Sequence, residues 1–228
     1  MLSGLLPAIG DADLSDRPRD ERAVPADWPG HLAPNFSEWA PGDIVLVDGD
    51  GSAGAIGIQL AQALSRNPQV RPAARFTHAA IYIGGGMLVD ATRHDPIMKR
   101  SVWYYCQHRA LMLRRLPDTA IPITDIEDIA VAAISHISKP YSLSAAIFSK
   151  LIPGTEPDPQ RLYCSTFIGL VVDQATGVRL TAQREHRPLH PATLAVHPEL
   201  RTVDVEWRGL AAWGSRAGAA AASNPPPR

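Results

Sequence analysis

Hydrophobic positions along this chain come in short runs separated by glycine- and proline-bearing punctuation. Pro41-Gly42-Asp43 precedes Ile44-Val45-Leu46-Val47, and Asp48-Gly49-Asp50-Gly51 follows it, so this β-branched run predicts a first buried strand. Ile56, Leu60, Ala63 and Leu64 recur at near-helical spacing and predict a helix over 55–66, followed by a proline-containing loop through Arg71-Pro72. Phe76–Gly84 and Met87–Ala91 flank Gly85-Gly86 and predict a β-hairpin. Ala110–Leu116 reads as another strand. Thr124-Asp125-Ile126-Glu127 has the capping-box pattern, and Ile126, Ile129, Ala130, Ala133, Ile134 and Ile137 keep helical spacing until Pro140 closes the run. The last strong signal is Arg161–Gly177, where Ile168, Leu170, Val171, Val172 and Ala175 make a buried helix and Gly177 supplies its left-handed stop. Leu200 to Trp207 alternates in part and predicts an edge strand. Residues 1–35 mix Asp, Arg and Pro without periodicity and read as an irregular lead-in, 36–208 as the folded domain, and 209–228 as a disordered low-complexity tail.

Composition narrows the partners more than the fold. The chain has 228 residues, 45% hydrophobic and 20% charged, which fits one soluble globular domain. With 22 basic against 23 acidic residues its net charge is -1, so no footprint for nucleic acid or an anionic membrane is expected. There is no run of about 18 apolar residues, and the first ten residues lack a basic n-region and a long apolar core; neither a membrane span nor a secretory signal peptide is read. Two cysteines, Cys106 and Cys164, make no disulfide framework and lack metal-site spacing, which fits folding in a reducing compartment.

The candidate chemistry lies where these elements meet. Cys164 falls in or near the first turn of the predicted helix, where unpaired N–H groups and the positive end of the macrodipole favour a thiolate and can hold an oxyanion. A buried cysteine that simply packs is the alternative. His78 opens the first strand of the hairpin and Asp90 closes the second, so the two sit at one end of an antiparallel pair, as a base and its orienting acid would. A hydrogen-bonded structural histidine and a turn-capping aspartate are the alternatives. Cys106, with His108 two residues on, is the rival nucleophile, but no helix start follows it and a packing role is favoured.

The succession Gly42-Asp43-Ile44-Val45-Leu46, Thr77-His78-Ala79-Ala80-Ile81-Tyr82-Ile83-Gly84, Leu88-Val89-Asp90-Ala91 and Tyr163-Cys164-Ser165-Thr166-Phe167 resembles the circularly permuted branch of the NlpC-type papain-like cysteine hydrolases, which includes YiiX-like proteins and the lecithin–retinol acyltransferase group. The resemblance covers roughly residues 41–177. It implies an α+β papain-like fold, an antiparallel sheet packed on the helix that carries the nucleophile. It further implies Cys164 as nucleophile, His78 as general base and Asp90 as the residue that holds the imidazole tautomer, with no cofactor. YiiX-like members have a glutamate in the third position, so His94, close behind Asp90, stays open as a rival. Tyr141, placed like the tyrosine that precedes the cysteine segment in relatives, and Tyr163, just before the nucleophile, are candidates to line the pocket; a core aromatic with a wet hydroxyl is the alternative for both and the favoured one for Tyr163.

Three function classes follow. The resemblance most often implies an amide hydrolase acting on peptidoglycan stem peptides, and effectors delivered by type VI secretion share this layout and need no signal peptide. An effector of this kind implies an immunity protein or secretion-apparatus partner. The second class is an acyltransferase or a lipid or thioester hydrolase of the same permuted fold. The third is a non-catalytic binding module, or a metal site built from His78, Asp90, His94 and Cys164, whose ligands lack a compact spacing motif.

Overall fold

The fold is α+β, and the computed structural model describes residues 32–92, 95–106, 110–117, 123–139, 164–180 and 189–209. Its centre is a fully antiparallel six-stranded sheet in the order β5-β4-β3-β2-β6-β7. The strands are β2 (Ile44–Asp48), β3 (Phe76–Gly84), β4 (Met87–Asp90), β5 (Met98–Ser101), β6 (Leu111–Arg115) and β7 (Arg201–Val203). A separate two-stranded ribbon pairs β1 (Leu32–Pro34) with β8 (Trp207–Gly209). The helices are α1 (Ala53–Ala63), α2 (Trp103–Cys106), α3 (Ile123–Ile134), α4 (Cys164–Thr176) and α5 (Pro191–Ala195).

The central sheet is buried on both faces, which is why its inner strands read as continuous apolar runs. On one face Ile44, Leu46, Ala79, Ile81 and Val89 pack against Ile126, Ile129 and Ala133 of α3 and Phe167, Ile168, Val171 and Val172 of α4. On the other, Val45, Val47, Ala80, Tyr82 and Leu88 lie under Phe36, Trp39, Trp103 and Tyr105. Phe36 stacks on Tyr82 with ring centroids 6.4 Å apart and takes Trp39 edge-on at 5.0 Å. Strand period two sorts the side chains between these layers from Ala79 to Tyr82, with Ala79 and Ile81 toward the helices and Ala80 and Tyr82 toward the aromatics, while a register shift opposite Val47 and Asp48 puts Phe76 on the helix side.

Several boundaries differ from the sequence reading. The expected lead-in to 35 overlaps the fold at its end, because Leu32–Pro34 is a paired strand and Asn35 is buried, its N–H 2.7 Å from the Glu206 carbonyl and its amide 2.9 Å from the Glu206 carboxylate. At the other end, Gly209 is paired with Leu32 rather than belonging to a tail. The single strand expected from Leu200 to Trp207 is divided between β7 and β8. α1 starts earlier than 55 because Ser52 caps it, its hydroxyl accepting from the Ala55 N–H at 3.3 Å. α3 begins at Ile123, so Thr124 lies inside its first turn instead of ahead of it. The hairpin register, Ala80 opposite Asp90 and Ile81 opposite Val89, agrees with the expected pairing, and Gly177 ends α4 at φ +71° with its N–H on the Asp173 carbonyl.

Gly42 ties the sheet to α3. It has φ +96°, donates to the Tyr82 carbonyl at 2.8 Å, and a Cβ there would sit 2.1 Å from the Ile126 carbonyl oxygen. Gly42→Ala is therefore expected to cost at least ~2 kcal/mol, read from the midpoint of chemical denaturation. A midpoint equal to that of the parent protein would show that this contact relaxes freely.

Candidate active site

Cys164 is the first residue of α4. The start of that helix is anchored by Ser165, whose hydroxyl donates to the Leu189 carbonyl at 2.5 Å, and by Phe167 and Ile168, both fully buried against the sheet. The cysteine is buried at 5% exposure. It is near enough to His78 to be among the groups that raise the imidazole pKa, and the packing of α4 on β3 is what brings together two residues far apart in sequence.

The other partners of His78 follow from sheet register. Asp90 is opposite Ala80 on β3 and opposite Met98 on β5. Residues two positions along a strand share a face, so His78 and Arg100 are both diagonal neighbours of Asp90 on the aromatic-covered side of the sheet. The contacts bear this out. His78 Nε2 lies 3.1 Å from Asp90 Oδ2, and Arg100 Nε donates to Asp90 Oδ1 at 3.0 Å. Arg100 also donates to Thr92 Oγ1 at 3.2 Å and to Asp95 Oδ2 at 2.5 Å. Tyr105 completes the group from α2: its hydroxyl donates to Asp90 Oδ2 and lies 3.0 Å from His78 Nε2. With Nε2 so occupied, Nδ1 is the ring nitrogen open to the sulfur.

The electrostatics favour a charged imidazole. Burial is the largest influence on His78 and pulls its pKa down, but hydrogen bonds to Asp90 and Cys164 and the charges of both raise it to about 9. Since the folded value lies above the ordinary one, stability from this group is complete below pH ~6.5 and is lost as pH rises through about 9. We expect the His78 ring resonances to titrate with a midpoint near 9 and, in Cys164→Ala, to move toward the ordinary histidine value. An unmoved midpoint in that variant would mean the sulfur does not interact with the ring.

The remaining sequence candidates fall into two groups. Cys106 closes α2, a helix and not a strand, and burial pushes its thiol far above the ordinary range, which suits a packing residue. Tyr141, Tyr163, His94 and His108 lie outside the described residues. Sequence reasoning missed Arg100 and Tyr105. Once Asp90 was placed, the parity of a third strand would have pointed to Arg100, but nothing in the spacing links Tyr105 to His78 across 27 positions.

A solved structure with a similar fold is YiiX from Escherichia coli O157:H7, described as a metalloprotein and DUF1105, with a TM-score of 0.56 and 18% sequence identity over 75% of this chain and 99% of that one. The chain shares the YiiX fold. No protein-family model and no curated protein matches it. The description of YiiX as a metalloprotein raises the question of a metal here, and the donor set among the described residues does not fit one. Among the described residues no three His, Cys, Asp or Glu side chains converge as a metal cluster. Both Asp90 oxygens are engaged by Arg100, Tyr105 and His78, and the Arg100 guanidinium already places a positive charge beside the carboxylate.

Proposed function

We propose that this protein is a papain-like cysteine hydrolase in which Cys164 is the nucleophile, His78 the general base and acid, and Asp90 the residue that fixes the imidazole. The observation that carries the reading is a cysteine at the start of a helix that packs on β3, set against a β3 histidine whose Nε2 rests on a buried carboxylate. In this reading protonated His78 is the counter-ion of the Cys164 thiolate. The sulfur attacks a carbonyl carbon, and N–H groups at the start of α4 hold the resulting oxyanion. His78 gives its proton to the leaving amine as the carbon–nitrogen bond breaks, which leaves a thioester on Cys164. Neutral His78 then takes a proton from water, the hydroxide attacks the thioester, and release of the acid restores the dyad. The chemistry calls for no cofactor.

The substrate reading is an amide of a peptidoglycan stem peptide, on the resemblance to permuted NlpC-type hydrolases. The protein would act as an antibacterial effector exported by a specialised secretion system, partnered in the producing cell by an immunity protein. A second reading, hydrolysis or transfer of an acyl chain, is favoured by one surface: Ile56, Leu60 and Leu64 recur every four residues along and just past α1, and all three are exposed. No helix among the described residues is long and apolar enough to cross a membrane. Mass spectrometry of purified peptidoglycan digested with the protein, beside a fatty-acid release assay on phospholipid vesicles, separates the readings. New muropeptides support the first and free fatty acid the second. Neither product, from a protein whose Cys164 is intact, would favour a binding module.

A further inference from the structure

Tyr105 has no role in the chemistry as derived so far, yet its hydroxyl touches both His78 and the carboxylate that holds it. The phenol donates its one proton to Asp90 Oδ2, and its oxygen stands 3.0 Å from His78 Nε2, which is itself 3.1 Å from the same Oδ2. The three groups form a closed triangle. The ring lies beside the imidazole with centroids 5.1 Å apart and an interplanar angle of 31°. Its backbone is fixed by the short helix α2, where the Tyr105 N–H donates to the Val102 carbonyl at 2.9 Å and the Trp103 N–H to Ser101 Oγ at 3.3 Å. Trp103, next in the chain but one, is wedged edge-on against Phe36 at 5.8 Å. A ring needed only for packing would be served by phenylalanine, without a buried hydroxyl to satisfy.

We propose that Tyr105 is a positioning residue of the Cys164–His78 pair: its hydroxyl divides Asp90 Oδ2 between two donors and holds the imidazole with Nδ1 toward the sulfur. The proposal rests on the cysteine-hydrolase reading above. Among the described residues the groups that face His78 are Asp90 from β4, Tyr105 from α2 and Cys164 from α4, with Arg100 of β5 behind Asp90; the carboxylate on β2, Asp48, is turned to Arg75 at 3.3 Å. Tyr105 stays a neutral donor, because burial first, then the charge of Asp90 and the bond to it, raise its pKa well above the ordinary phenol value. A carboxylate oxygen that accepts from two donors pulls less strongly on either. Without the phenol, Oδ2 would be left to His78 alone, the imidazolium would be held more tightly, and it would release its proton to the leaving group less readily.

The test compares the wild-type protein with Tyr105→Phe by NMR titration of the His78 ring, which needs no substrate. The expected result is a higher midpoint in the variant, with an unchanged melting temperature within a few degrees. Where hydrolysis is measurable, kcat falls about tenfold or more, KM changes little, and the alkaline limb of the rate profile moves up with the ring midpoint. Equal His78 midpoints near 9 in both proteins would overturn the role of Tyr105 and leave the dyad standing. A wild-type midpoint at the ordinary histidine value would remove the dyad, and the proposal with it. Should Tyr105→Phe not fold, the wild-type protein decides: the Tyr105 hydroxyl proton should give a downfield, exchange-protected resonance with a cross-peak to the His78 ring, and its absence overturns the proposal.

Discussion

Cys164→Ala is expected to abolish the proposed hydrolysis, with a loss on the order of 10⁴-fold or more, while the protein stays folded. The size follows from chemistry, since no other group at the start of α4 can form the thioester, and removing the nucleophile of a coupled set costs nearly as much as removing the whole set. The stability change is small because alanine is an efficient helix former and the side chain lost is only a thiol. Turnover of the substrate that the digestion experiment identifies, measured beside circular dichroism of the variant, checks both halves. The control is Cys106→Ala. Its thiol is held protonated by burial and sits in α2 rather than against His78, so activity should persist. Activity lost in that variant and kept in Cys164→Ala would reverse the assignment.

Asp90→Ala is expected to do more harm to the fold than its place as a mere orienter of the imidazole implies. The carboxylate is fully buried and accepts from a buried guanidinium as well as from His78 and Tyr105. Deleting it leaves Arg100 inside the protein with one strong partner, the half-exposed Asp95, and breaking a buried ion pair in this way costs roughly 3–5 kcal/mol. Asp90→Asn separates the two roles. The amide keeps the volume and can still accept from Arg100, so much of the stability should return, while His78 loses its charged partner and activity stays low. Denaturant midpoints of the two variants check the first statement and their turnover the second. If Asp90→Ala were as stable as the parent protein, the Arg100 pair would carry no net stability.

The hairpin with His78 and Asp90 was legible because both strands are largely apolar and joined by a glycine pair, so the shared end of the two residues followed from the antiparallel pairing. The start of α4 was legible for a similar reason: an apolar run with a glycine stop leaves little freedom in where the helix begins. Arg100 was obscured because three of the four residues of Met98–Ser101 are polar and the run lacks a strand signature; pairing with β4 makes it a strand, and propensity does not. Tyr105 was obscured because a four-residue helix is set by tertiary contacts, here the aromatic layer beneath Phe36 and Trp103. Leu32–Pro34 contains a proline and gains strand geometry only through a partner at the far end of the domain. In each case the missing information was a long-range contact.

The pairing of β1 with β8 has a consequence for how the domain can be attached to other things. Leu32 is opposite Gly209, so the first and last described residues of the fold stand on adjacent strands. The path of the chain is nearly a closed circuit, and the seam is the two-stranded ribbon rather than the six-stranded sheet that carries His78 and Asp90. Any segment ahead of residue 32 and any segment after 209 leave from the same corner. Cargo joined directly at residue 32 or at residue 209 would thus start from one side of the fold, and a short linker between these two positions would close the ring without crossing the sheet on which the site is built.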